Sequence, residues 1–136
     1  MTREESRNLV PGVGIGDMTF GMSRQQAKDI FGLPSGIEES NLNGPAVVAW
    51  SYEHDMVKLR FEMPWDRLTC VEVSGRKTRL LGQRFFGHSP ERVAAALASA
   101  GHAPELEAPT RWRFGEHSVC LSVADGRVVS VEAVAS

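Results

Sequence analysis

Four histidines, two cysteines and several pairs of carboxylates carry most of the chemical potential of this sequence. His54, His88, His102 and His117 form no metal-type pair among themselves. A cysteine nucleophile needs a neighbouring base to hold it as the thiolate. Only Cys120 has a candidate, His117, and both fall at a turn, so Cys70 and Cys120 read as structural free thiols. They lie on the outward parity of their strands and approach each other only if those strands share one sheet. Glu4-Glu5, Glu38-Glu39 and Glu105/Glu107 fall in loops or in the tail, where acidic runs are ordinarily solvated. Val10 to Gly16 (VPGVGIG) spaces its glycines like a phosphate cradle, but a dinucleotide fingerprint needs a strand before it and a helix directly after it. A strand follows here, so the segment reads as a turn. No catalytic residue, metal site or cofactor is expected, and the chain does not read as an enzyme.

Residues suited to binding a protein are easier to find. Lys58, Arg60, Arg111 and Arg113 project from the polar sides of alternating strands, beside Glu72 and Glu132. Trp65 and Asp66 belong to Met63-Pro64-Trp65-Asp66, an insertion in a hairpin, and exposed tryptophan is enriched at interface hot spots. The acidic stretch Ser35 to Pro45 reads as a long loop able to close over a partner. Arg76, Lys77, Arg79 and Arg84 make residues 76–84 basic, without the interleaved aromatics that bind nucleic acid, so they read as a solvated connector.

The elements that must position these residues come in two similar sets. GDMTFGMSRQQAKDIF from Gly16 and GQRFFGHSPERVAAAL from Gly82 align Phe20 with Phe86, Gly21 with Gly87 and Ser23 with Ser89. Further on, Trp50-Ser-Tyr52 matches Trp112-Arg-Phe114, Val57, Leu59 and Phe61 match Val119, Leu121 and Val123, and LTCVE from Leu68 matches VVSVE from Val128. Ser23 and Ser89 sit where helix N-caps belong, Gln26 completes a capping box, and Pro90 suits a first helical position. Gly32 with Pro34, and Gly101 with Pro104, stop the helices. Strands alternating with period two follow, and Asp125-Gly126 suits a tight hairpin turn. The expected fold is α+β: two tandem strand–helix–three-strand repeats, each an antiparallel meander sheet with a short helix packed on one face. Repeat 1 spans 10–75 and repeat 2 spans 80–135, within a single compact unit over 1–136. Large aromatics, Phe20, Trp50, Tyr52, Phe61, Phe86, Trp112 and Phe114, form its core or else line a cavity between helix and sheet.

Composition narrows the class. The 136 residues are 42% hydrophobic and 24% charged, enough for a core and unlike a disordered chain. Fifteen basic against seventeen acidic residues give −2, so no overall basic field draws nucleic acid. Charge is uneven: residues 1–75 carry −4, 76–84 carry +4 and 85–136 carry −2. No apolar run reaches the roughly 18–20 residues that span a bilayer. The polar start MTREESRNL is not a signal peptide, and the cysteines form no disulfide framework, so a reduced, cytoplasmic protein is expected.

Gly21-Met22-Ser23, Phe31-Gly32-Leu33-Pro34, Trp50-Ser51-Tyr52 and the strand Val57 to Phe61 together resemble the BamE-like pattern. The match covers repeat 1 well and repeat 2 partly: His88 replaces the Met, and Ala100-Gly101 replaces Phe-Gly before proline. BamE is a lipoprotein scaffold that binds proteins. Without a lipid-acceptor cysteine near the start of this chain, membrane anchoring is not carried over. The beta-lactamase inhibitory protein is similar, a tandem relative whose joined sheet grips another protein, and bacterial toxin-immunity proteins share the same style. The resemblance implies a non-enzymatic binding module, monomer or weak dimer, that blocks a protein partner such as a toxin by steric occlusion. A small-molecule or lipid carrier is the alternative.

Overall fold

Alternating apolar and polar residues commit most of this chain to strands. A computed structural model describes residues 7–41, 44, 46–54, 56–108, 110–115 and 118–135. Short strands β1 (Asn8–Val10), β2 (Gly14–Ile15) and β3 (Met18–Thr19) precede helix α1 (Arg24–Phe31). Strands β4 (Gly36–Ser40), β5 (Val47–Tyr52), β6 (Val57–Glu62) and β7 (Arg67–Ser74) follow, then β8 (Arg79–Leu80) and helix α2 (Pro90–Ser99). The chain ends in β9 (Pro104–Ala108), β10 (Arg111–Phe114), β11 (Val119–Ala124) and β12 (Arg127–Val134).

Two strand–helix–three-strand repeats with separate meander sheets do not form. The described chain is mostly β, and eight strands make one antiparallel sheet in the order β4-β5-β6-β7-β12-β11-β10-β9. The segments preceding the helices leave that sheet and build a second one, β3-β2-β1-β8. The expectation failed at the sheet edges. Gly36–Ser40 (GIEES) carries no apolar alternation and Pro104–Ala108 (PELEA) only a five-residue one that opens on proline, yet both are edge strands, β4 and β9. An edge strand bonds on one side only, and charged residues there discourage pairing with other chains. Within the expected loop Ser35 to Pro45, Gly36–Ser40 are therefore strand, and Glu38-Glu39 and Glu105/Glu107 lie in strands rather than loops.

Two irregularities aim the central strands. Cys70 pairs with Arg60 but Leu68 with Phe61, leaving Thr69 extra in β7. Ser130 pairs with Ser122 but Val128 with Val123, leaving Val129 extra in β12. A bulge of this kind swaps the face of every residue beyond it. Leu68 and Val128 thereby join Val71 and Val131 inside. One core cluster lies between this inner face and a layer made by both helices and the small sheet. That layer contributes Ala27, Val93 and Leu97 from the helices and Leu9, Ile15, Met18 and Leu80 from the small sheet. Phe61, Phe85 and Phe114 are fully buried, whereas Trp50 and Trp112 are half-buried at its margin. The serine caps fall where the sequence puts them: Ser23 and Gln26 form a capping box, and the Ser89 hydroxyl accepts from the Arg92 N–H at 3.3 Å. Gly14 is required by close approach, because a Cβ there would meet the Met18 carbonyl oxygen at 2.0 Å.

Candidate functional site

With the core on one side of the large sheet, the residues of opposite parity form its other face. Cross-strand register sets their positions. Ser51, Lys58, Glu72, Glu132, Cys120 and Arg113 make one row across six strands, and Ser74, Ser130, Ser122 and Arg111 make the next. Arg60 and Cys70 lie in the row on the other side. Lys58, Arg60, Glu72, Glu132, Arg111 and Arg113 therefore share one face.

Glu72 and Glu132 stand directly opposite each other where β7 meets β12. Facing like charges repel, and Arg60 answers both: its guanidinium lies 3.5 Å from Glu72 Oε1 and 3.6 Å from Glu132 Oε2. The same guanidinium donates to Cys70 Sγ at 3.5 Å. On the far side of the seam, Arg111 Nε donates to Cys120 Sγ at 2.7 Å. Both cysteines, 8% and 7% exposed, are thus free thiols on the outward side of the sheet. Burial pushes the Cys70 thiol up to about 11, with the Glu132 carboxylate adding to the effect, so it is protonated near neutrality and a poor nucleophile. Sharing a sheet does not unite the cysteines. Strand β12 separates them, since Cys70 faces Val134 and Cys120 faces Glu132. Two strand spacings, about 10 Å, exceed what a disulfide bridges.

Trp65 and Asp66 occupy the turn between β6 and β7 and have different surroundings. Trp65 is 60% exposed, and the Arg67 guanidinium stacks over its ring at 5.0 Å. Arg67 also pairs with Glu62, on the parity of Lys58 and Arg60, which places Trp65 at the rim of the polar face. Asp66 turns toward α1 instead, accepting from Arg24 Nε at 2.7 Å and from the Arg24 N–H at 3.4 Å. Nothing in the sequence marked Arg24 as its partner.

The remaining candidates are scattered. Of residues 10–16, Pro11, Gly12 and Val13 form the turn between β1 and β2, and a strand rather than a helix follows them. His54 sits in the β5–β6 turn, where its carbonyl accepts from Lys77 Nζ at 3.1 Å. His117 lies outside the described residues, and with it the Cys120–His117 pairing. Among the described residues, no three His, Cys, Asp or Glu side chains gather closely enough to hold a metal ion. Nor is any helix among them long and apolar enough to cross a membrane. The aromatics pack on one another, with Trp50 against Phe61 at 5.7 Å, Phe31 against Tyr52 at 5.6 Å and Trp112 against Phe114 at 6.3 Å.

No family model matches this chain, and no curated protein matches it. Among solved structures, the fold is similar to a crystal structure of an extracellular protein containing an SCP domain from Bacillus anthracis str. Ames. The TM-score is 0.62 at 13% sequence identity, covering 85% of this chain and 44% of that one. Likeness at this identity is likeness of fold alone. The chain spans less than half the length of that protein.

Proposed function

We propose that this chain is a non-enzymatic protein-binding module that blocks a protein partner, in the manner of an immunity or inhibitor protein covering a bacterial toxin domain. The observation that carries the reading is the open face of the eight-stranded sheet, where register collects Lys58, Arg60, Arg111, Arg113, Glu72 and Glu132. Eight strands at about 4.8 Å spacing and roughly six residues long give a surface of about 34 by 20 Å, near the ~800 Å² each partner contributes to a stable interface. A face of both signs fixes orientation and speeds encounter with a complementary surface. The sheet-gripping mode of the beta-lactamase inhibitory protein and the BamE-like resemblance of Gly21-Met22-Ser23 and Trp50-Ser51-Tyr52 agree with this reading. The mechanism is occlusion, with Trp65 anchoring one rim. The working form is a monomer or weak dimer in the cytoplasm, where unpaired thiols such as Cys70 and Cys120 persist. Neither nucleic acid nor membrane enters the reading.

The test is capture of a partner by tagged protein from native lysate, followed by titration with the purified partner. Trp65→Ala and Arg113→Ala each weaken binding about tenfold or more, as interface anchors do, with the melting temperature unchanged. Arg60→Ala is not a clean probe, because it strands the facing carboxylates of Glu72 and Glu132. Undiminished binding by the Trp65 and Arg113 variants would remove the sheet face as the docking surface.

A further inference from the structure

The large sheet ends at β4, whose outer side pairs with no strand among the described residues. In an antiparallel ladder every second residue turns its N–H and C=O away from the neighbour, so part of the β4 backbone is open to another chain. The side chains from Ile37 to Ser40 are all exposed. Ile37 faces Trp50, which packs on Phe61, so it lies on the core side of the sheet and is nevertheless 59% exposed. Glu38 and Glu39 point to opposite faces of the strand, and each lines a cavity. Glu38, on the polar face, borders about 360 Å³ with Glu53, Met56, Lys58 and Glu72. Glu39, on the core side, borders about 370 Å³ with Arg24, Val48 and Met63. Neither glutamate has an ion-pair partner among the described residues, and Arg24 is held by Asp66. Leu33, in the link from α1, joins Ile37 and Met56 to make three of the five large apolar side chains exposed among the described residues, so this edge is apolar as well as acidic.

We propose that β4 takes up an extended segment of a protein partner as an added antiparallel strand, in which two consecutive basic residues face Glu39 and Glu38 and the apolar residue after them covers Ile37. Main-chain hydrogen bonds to a free edge supply affinity, and pockets for alternate side chains supply specificity. Successive residues of a strand point to opposite faces, so one basic side chain reaches each cavity. Opposite charges across a strand pair stabilise it, and like charges oppose it. The glutamates that keep a second copy of β4 from pairing here therefore select a basic strand. The apolar residue over Ile37 falls on the core side and extends the layer that Trp50 begins. The proposal does not rest on the occlusion reading, because Arg113 lies six strands away and takes no part in it.

Titration of the ¹⁵N-labelled full chain with the capped peptide TTKRVTT, at constant ionic strength, tests it. Amides of Ile37, Glu38 and Glu39 shift along saturable curves with a dissociation constant below about 1 mM. Glu38→Lys combined with Glu39→Lys weakens binding about tenfold or more and transfers the preference to TTEEVTT, whereas Arg113→Ala leaves it unchanged. Glu38→Gln combined with Glu39→Gln, at the same exposed positions, tests the loss of charge if the reversed variant does not fold. N-methylation of alternate peptide residues gives two forms, and the form blocked on the edge toward β4 binds about tenfold more weakly than the other. Equal binding of the two methylated forms, or equal binding of TTEEVTT to the unaltered chain, overturns the proposal. Concentration-dependent shifts at these amides without peptide overturn it too, by assigning the edge to a second copy of the chain.

Discussion

Tyr52 is the single tyrosine of the sequence, and its surroundings make its titration a clean report on the fold. Its hydroxyl donates to the Gly32 carbonyl at 2.9 Å, tying β5 to the glycine that ends α1, and its ring packs on Phe31. Burial pushes its pKa up to about 12 from the ordinary 10.0. The folded state therefore keeps a proton that the unfolded chain gives up first. The stability this confers is complete below pH 10 and is lost as pH rises from 10 toward 12. Ultraviolet difference titration is expected to give one transition near 12 in native buffer and one near 10 in denaturant. A native transition near 10 would show that the ring is solvated. Strand parity made the side of Tyr52 legible beforehand, but not its bond to Gly32, since sequence spacing does not tell which carbonyl a hydroxyl reaches. The same holds across the sheet: alternation placed Glu72 and Glu132 outward, while their meeting at one seam, with Arg60 between them, depends on register.

At the scale of elements, helix α1 is eight residues long and has no acidic residue in its first turn. An isolated helix that short is not stable in water. Ser23 and Gln26 provide its capping box, and Asp66, from the turn between β6 and β7, brings the negative charge that a helix N-terminus favours. Asp66→Asn is expected to cost about 0.5–1 kcal/mol, because asparagine keeps the acceptor and tolerates the positive φ of 54° but loses the charge. Asp66→Ala should cost more, since it also removes the acceptor and strains the backbone. Denaturant melts of the two variants measure this, and equal, negligible losses would show that the turn does not brace the helix. Caps were legible because serine followed by glutamine or proline acts within one turn of chain. Edge strands β4 and β9 were not, for each is five residues long, carries two glutamates and pairs with a neighbour on one side only. The bulges at Thr69 and Val129 were equally silent, since each looks like ordinary alternation until the partner strand is present.

For the whole molecule, the central question is whether the two sequence halves fold as one body. The large sheet crosses from one half to the other at β7–β12, where Val73 faces Val131 and both are buried. The small sheet crosses again: β1 pairs in parallel with β8, joining Leu9 to Leu80. Phe85, between the halves in sequence, belongs to the same core cluster as Phe61 and Phe114. Matching residue types pointed to two sets of elements but carried no sign of these joints, which are made of backbone hydrogen bonds and ordinary valines and leucines. Because the joints leave no free internal boundary, unfolding of either half exposes the core of the other. Phe61→Ala, in β6, is expected to cost about 3–5 kcal/mol. Native-state hydrogen exchange should record that loss in full at Leu121 and Val131, strands away from the substitution, as well as at Leu59 beside it. Protection at Leu121 that stays at its original level while Leu59 loses its own would mean that the halves open separately, and that the seam is a contact between two domains rather than the middle of one sheet.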